Sequence, residues 1–580
     1  MTPSAVTPAT GLEDDVRDRL DAAIGELETG TKTWSALTLG QRATLLRAVR
    51  TGVAAAAEEW ALTAAASKGL GDAHPLRGEE WLSGPYSALG ALDAYIETLS
   101  RLSDGRNPLE GVRIDRAPGG RTRVHAFPLT GIDKVLLSGF TGEVWLEPGT
   151  TPRAARAGAG LAQRTPAESG GVGLVLGAGN VTSIPVLDVL YELLAHNRTA
   201  LLKVNPTQDA LVPVFEHAFA PLIEPGFLRI VRGGGDVGAY LTAHPKLAHV
   251  HITGSAATFD AITWGTGATG KRRRRENRPL LKKPITAELG GVSPIIVVPG
   301  EWSDADLTFH AEHIATMRLQ NSGHNCIAGQ VVIMSSDWTQ ADAFRAALRS
   351  AYAKAPERPI WYPGSEQRMR QAGDDYPDAL VLGDRFLVEV GAGDDASALQ
   401  STEYFAPVLG VIELAGTGQE FVDAAVAHAN DELQGTLGAN VLIDPVTQKA
   451  LGTGFDRAIT ELRYGSIAIN AWTALGFIFP TLTWGAFPGN TLSDVGSGIG
   501  VVHNALLLDR VERSVVRGPF RPFPRSVSSL RGSGGFTILP KPPWFVTART
   551  GAAVSEGLTR FRATGGVVGL AKTLMQALRA

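Results

Sequence analysis

Gly171 to Pro206 reads GVGLVLGAGNVTSIPVLDVLYELLAHNRTALLKVNP, and this stretch decides the fold. It opens on a short apolar run closed by glycine and ends on a second such run, RTALLKV, with a helical pattern between them. A strand, a crossover helix and a second strand make a parallel pair. The alternation continues through GFLRIVRG, LAHVHITG and SPIIVVPG, and it resumes after residue 301 with QVVIMS, ALVLGD and GANVLID as strands. Two open α/β units of similar size are therefore expected. Upstream, residues 34–103 are rich in Ala and Leu at helical spacing and form a helical opening layer. Residues 104–168 are more irregular, with RTRVHAFPL and GEVWLEP as short strands. Downstream, residues 521–580 are rich in Pro, Gly, Arg and Ser and end in an amphipathic helix.

Composition narrows the function classes. One cysteine, Cys326, in 580 residues excludes a disulfide framework and a Cys-rich zinc site, so a reduced, cytoplasmic chain with no metal centre is expected. The 44% apolar and 19% charged content excludes disorder throughout. With 54 basic against 58 acidic residues the formal charge is −4, which advertises no nucleic-acid partner. The first thirty residues carry acids where an export signal carries its basic flank and apolar core. The most apolar stretch is interrupted by Asn180, Asp188 and Glu192, and no membrane span is read there. The basic run Lys271 to Arg275 is read as a solvated insertion, with a phosphate or acidic-lipid contact as the sharper alternative. In the tail, Val554, Leu558, Phe561, Leu570, Leu574 and Leu578 fall near helical spacing. Gly565 and Gly566 should break that helix, so packing on the chain itself is favoured over a peripheral membrane contact.

Three residues stand out chemically. Cys326 lies in NSGHNCIAGQ, a polar turn between a helix-like and a strand-like segment, where backbone donors can support a thiolate; buried apolar packing is its plain alternative. Adjacent His324 is no evidence of a Cys/His dyad, because such partners are usually remote in sequence. Glu288, in ITAELGGVSP, suits either a general base or a charged cap beside a Gly pair. Asn180, in the turn after GVGLVLG, can donate an amide hydrogen to an oxyanion or simply serve the turn.

Taken in order, Asn180, Lys203, the Gly254-Ser255 pair, Glu288, Cys326, Glu403 with Phe405, and Asn470 resemble the motifs of the aldehyde dehydrogenase superfamily. The segments concerned are GNVTSIPVLDVLYELLAHNRTALLKVNP, HITGS, AELGGVSP, NSGHNCIAGQ, EYFAPVLG, HANDELQGTLGANV and GSIAIN, and the resemblance spans roughly residues 30 to 515. It implies a dinucleotide-binding domain at 169–300 with residues 1–120 as its helical layer, and a catalytic domain at 301–505. It also implies a small β oligomerisation extension from 121–168 and 506–520, with 521–580 as an added tail. A homodimer or homotetramer follows from the same resemblance. Cys326 would be the nucleophile, Asn180 the oxyanion donor and Glu288 the base that activates water. Lys203, Gly254, Ser255, Glu403 and Phe405 would bind NAD or NADP.

Departures from the family pattern mark a divergent branch: Ala178 and Val181 flank Asn180, His324 stands two before the cysteine, and Phe259 replaces a glycine. Val-Asn-Pro follows Lys203 where the family commonly has an acid, which leaves NADP as plausible as NAD. The expected reaction is oxidation of a bulky or hydrophobic aldehyde, on the strength of Trp472, Phe477, Phe479 and Trp484, whose alternative is core packing. A CoA-acylating relative and a catalytically silent scaffold are the competing readings.

Overall fold

The structure is a computed structural model that describes residues 12–391, 393–531 and 535–579. Two sheets organise it. The smaller has six strands in the spatial order Gly498–Ile499, Ile285–Leu289, Leu247–Gly254, Val172–Leu176, Thr199–Lys203 and Leu228–Val231. All neighbours are parallel except the short Gly498–Ile499, which runs antiparallel to Ile285–Leu289. Val172–Leu176 and Thr199–Lys203 are buried at every position, as strands covered on both faces must be.

The opening stretch behaves as read. Helix Ile184–His196 starts with Pro185 in its first turn and stops at Asn197, which takes φ 51°. Asn197 is buried and accepts from Arg42 at 2.7 Å, tying the strand-helix-strand unit to the preceding helical layer. That layer is built on Asp14–Ala36, Leu39–Ser67 and Ser87–Ser103. The long middle helix begins with a Thr38/Gln41 capping box and buries Val49, Val53 and Trp60.

The larger sheet has eleven strands: Ile114–Arg116, Thr122–Phe127, Thr141–Leu146, Val511–Arg517, Ser466–Ile469, Gly438–Leu442, Ser293–Val297, Gly329–Ser335, Val408–Leu414, Arg385–Glu389 and Leu380–Leu382, in spatial order. Two expectations are adjusted here. The strand SPIIVV belongs to this larger sheet, between Gly438–Leu442 and Gly329–Ser335, so the change of sheet falls at Gly290-Gly291 and not near residue 300. The strands assigned to a separate extension continue this larger sheet of the same chain, because Val511–Arg517 pairs parallel with Ser466–Ile469 and antiparallel with Thr141–Leu146.

The tail folds back on the chain. Helix Gly551–Thr564 ends at Gly565, φ 72°, and a second helix, Val567–Ala577, follows. Arg521 grips the buried carboxylate of Asp306 with bonds of 2.6 to 3.1 Å, and Arg525 joins it. Lys541 pairs with Glu312 at 2.8 Å. The basic run forms the exposed last turns of helix Gly267–Arg275, where Arg274 pairs with Asp260 at 2.7 Å. No helix among the described residues is long and apolar enough to cross a membrane.

Candidate active site

Cys326 sits just before the strand Gly329–Ser335, and the chain reaches it by an unusual route. Helix Asp304–Leu319 gives way to Asn321 and Ser322, both at φ 54°, and then Gly323 at φ 73°. Left-handed backbone costs a non-glycine residue about 1–3 kcal/mol and persists only where neighbours hold it. Here they do. Asn321 N–H donates to the Glu79 carboxylate at 3.0 Å, and Ser322 Oγ donates to the Pro359 carbonyl at 2.9 Å. Gly323 must lack a side chain, since a Cβ there would lie 2.7 Å from the Ala406 carbonyl oxygen.

The clamp behind this turn is ionic and buried. Arg358 bonds Glu79 and Glu80, and Lys68 pairs with Glu80 at 2.8 Å while donating to the Asn180 carbonyl at 2.8 Å. One cluster thus fixes the turn after Val172–Leu176 and the cysteine turn together. The Asn180 side-chain amide donates to the His324 carbonyl at 2.9 Å, and Asn321 donates to the same carbonyl at 3.0 Å. The His324 ring bonds Ser365 Oγ at 2.9 Å, and burial holds it neutral, well below the usual histidine range. None of Lys68, Glu79, Glu80 or Arg358 was singled out from sequence; the adjacent acids in RGEEWLSGPY, within an apolar helical layer, were the one available signal.

Glu288 lies at the end of its strand, 2% exposed, with Oε1 3.2 Å from Cys326 Sγ. Its other oxygen has no hydrogen-bond partner among the described residues. Burial raises its pKa to about 7, with Asp188 adding to the rise and Trp484 and Cys326 opposing it. Burial also pushes the Cys326 thiol well up, and the carboxylates of Glu288 and Glu403 push the same way. The resting pair is therefore a neutral thiol bonded to a carboxylate poised near neutrality, a composition suited to proton transfer from sulfur to oxygen during attack.

Glu403 approaches from the other sheet. A Cβ on Gly290 would fall 2.0 Å from Glu403 Oε1, so the glycine is what admits this carboxylate. Its pKa is raised to about 7 by burial, with Arg368 and Arg318 pulling it down, and Oε1 has no hydrogen-bond partner among the described residues. Phe405, two residues on, takes φ 47° and packs its ring 5.7 Å from His324 and 5.0 Å from Tyr362. Asn470 is a clamp: it bonds both the N–H and the carbonyl of Ile443 at 2.9 Å and joins two strand ends.

Lys203 and Gly254 end their strands on the same edge of the small sheet, where Asn180 also follows its strand. The chain adds strands on one side of Val172–Leu176 and then crosses to the other with Leu247–Gly254. Such a reversal opens a crevice at the carboxyl ends of the strands, a position that favours a dinucleotide. Ser255 caps helix Ala256–Trp264 by accepting from Thr258 N–H at 3.2 Å, which leaves the other first-turn amides available to an anion. Burial lowers the pKa of the Lys203 ammonium; Asp209 and Asp236 oppose that shift, and the ammonium makes no hydrogen bond among the described residues. An unpaired Lys203, an unpaired Glu403 oxygen and an open helix start fit a phosphate-bearing nucleotide.

A cavity is lined by Cys326 and Glu288 together with Trp472, Phe477 and Trp484. Phe479 instead stacks on Phe127 at 3.8 Å, in the core. Trp472 and Trp484 belong to the buried core as well, so these rings serve both readings offered by the sequence, packing and cavity lining.

Residues 150–358 match the aldehyde dehydrogenase family. Several solved structures share the fold across most of the chain. A putative aldehyde dehydrogenase from Burkholderia cenocepacia is 19% identical, over 86% of this chain and 91% of that one, with a TM-score of 0.55. Aldehyde dehydrogenase C from Pseudomonas syringae, solved as a mutant with NAD+ and octanal, is 17% identical over 87% and 90%, with a TM-score of 0.58. An NADP-dependent glyceraldehyde-3-phosphate dehydrogenase from Bacillus halodurans, solved with NADP, is 19% identical over 87% and 91%, with a TM-score of 0.56.

Proposed function

We propose that this chain, whose residues 150–358 belong to the aldehyde dehydrogenase family, oxidises an apolar aldehyde to its carboxylic acid with NAD or NADP through a thioester on Cys326. The observation that carries the reading is the Cys326 Sγ to Glu288 Oε1 contact of 3.2 Å inside the apolar cavity. The Cys326 thiol passes its proton to Glu288 as sulfur attacks the aldehyde carbon, giving a thiohemiacetal. The Cys326 N–H and the second amide hydrogen of Asn180 stabilise the oxyanion. Lys203, the Gly254-Ser255 turn and Glu403 would hold NAD or NADP, which when bound would supply the acceptor for the hydride lost from that carbon. The thioester is hydrolysed when Glu288, again deprotonated, takes a proton from water; hydroxide adds to the acyl carbon and the thiolate leaves. Retention of Glu288 favours hydrolysis over transfer to CoA, since a CoA-acylating enzyme releases the acyl group without this base.

Purified protein with either cofactor and a panel of aliphatic and aromatic aldehydes should form reduced cofactor and acid in equal amounts. Cys326→Ala should abolish both. Turnover that survives this substitution would overturn the mechanism, and acyl-CoA formed in place of acid would select the alternative chemistry.

A further inference from the structure

The cavity at Cys326 has a wall that the catalytic motifs do not supply. Pro543, Trp544, Phe545, Ala548, Ala552 and Ser555, all from the tail, line it opposite no charge of their own. The tail is fastened there: Val546 N–H donates to Thr316 Oγ1 at 3.1 Å on the helix that leads to the cysteine, and Thr559 Oγ1 donates to the Trp81 carbonyl at 3.3 Å. Beyond lies a second chamber. Leu82, Leu475, Ile478, Pro543 and Trp544 line both spaces, so the two share a common partition. The far part of the second chamber is formed by Val554, Leu558, Leu574 and Ala577 of the two tail helices.

The polar side chains of this second chamber are already engaged. Lys541 pairs with Glu312 at 2.8 Å, Tyr86 Oη accepts from Arg562 at 3.3 Å, and Thr573 Oγ1 donates to the Gly569 carbonyl at 3.0 Å. Apart from the Tyr86 hydroxyl hydrogen, such a lining offers an occupant apolar contact. We infer that the tail builds a subsite for a long unbranched alkyl chain, which runs from Cys326 past Pro543 and Trp544 into the second chamber. This rests on the dehydrogenase reading for the aldehyde head, while the tail determines the length of chain accepted. Each methylene that reaches the second chamber should strengthen binding about fourfold.

The test is a ladder of straight-chain aldehydes from propanal to hexadecanal, run on the full chain and on Ala577→Trp. Ala577 is half-buried at the surface end of the chamber, so the indole enters the chamber without displacing core. For the native chain kcat/KM should climb with length and then level off, and in Ala577→Trp the ratio for dodecanal over propanal should fall at least tenfold. A flat ladder, or a ratio unmoved by the substitution, overturns the subsite. Protection of Cys326 from alkylation by dodecanol gives a readout independent of turnover: strong in the native chain, weak in Ala577→Trp, and weak with propanol in both. If no aldehyde of any length is oxidised, the dehydrogenase reading fails, and dodecanol protection alone then decides whether the subsite exists.

Discussion

Glu288 both bonds Cys326 and raises its pKa, so removing its charge should move two observables. In Glu288→Gln the thiol loses a repulsive neighbour but also the acceptor of its proton, so the pH dependence of its alkylation by iodoacetamide should lose the rise through about 7 set by Glu288. Turnover should fall by about 10²–10⁴-fold, because thioester hydrolysis has lost its base. In the native chain hydrolysis should rise as pH passes through about 7, where Glu288 becomes a carboxylate. The sign for stability is opposite. The folded pKa lies above the unbound value of 4.5, so this contribution is full below 4.5 and is lost as pH rises through about 7. Thermal scans across that range should show a shallower decline in Glu288→Gln. Cofactor choice is a second matter of single residues. No acid follows Lys203 directly, yet Asp209 and Asp236 act on its ammonium from other turns and would repel a 2′-phosphate. NAD should therefore be preferred, and Asp236→Asn should raise relative kcat/KM with NADP. Cys326, Glu288 and Asn180 were picked out through the ordered resemblance, since each alone has an ordinary structural reading, and the structure brings them to one site. Asp209 and Asp236 were not, since their effect depends on two loops meeting in space.

Among the elements, the cysteine turn depends on a clamp assembled from three distant segments. Arg358→Met would leave Glu79 and Glu80 buried with Lys68 as their remaining cation, and should cost about 3–5 kcal/mol in chemical denaturation. It should also lower kcat more than it raises KM for short aldehydes, because Asn321 and Asn180 lose the frame that sets their direction. The strand-helix-strand unit at 171–206 could be read directly from the run lengths and helical pattern, and the structure has it at nearly the same bounds. The change of sheet at Gly290-Gly291 could not. SPIIVVPG is a buried parallel strand in either sheet, and nothing local to the Gly pair after Glu288 shows that its first glycine makes room for Glu403. Periodicity reports burial, whereas sheet membership is a matter of partners remote in sequence.

Across the whole molecule, the strands at 114–146 and 511–517 complete the chain's own eleven-stranded sheet. Val515 is fully buried between both halves, so Val515→Asp should cost upwards of about 4 kcal/mol and prevent folding of the catalytic unit, and it should not merely change the assembly state. Circular dichroism with size-exclusion chromatography separates these outcomes. The tail's grip on Asp306 is testable in the same way. Asp306→Asn weakens the hold of Arg521 and Arg525, and limited proteolysis should then cut preferentially beyond residue 518. That the tail packs on its own chain was legible from its amphipathic spacing and the Gly565-Gly566 break. Its place over the cysteine cavity was not, because nothing in a local pattern names the surface on which a helix comes to rest.

The order of the parts along the chain bears on how the protein is made. Cys326 leaves the ribosome before Trp544 and Phe545, and the roughly 220 residues between them take about 10–40 s to synthesise at about 5–20 residues per second. Throughout that interval the chain's one thiol lacks its outer wall and faces whatever oxidants the surroundings contain. A sulfenic acid formed then would have no second cysteine in the chain to resolve it as an internal disulfide. Emergence of the tail thus ends a period of exposure as well as completing a pocket.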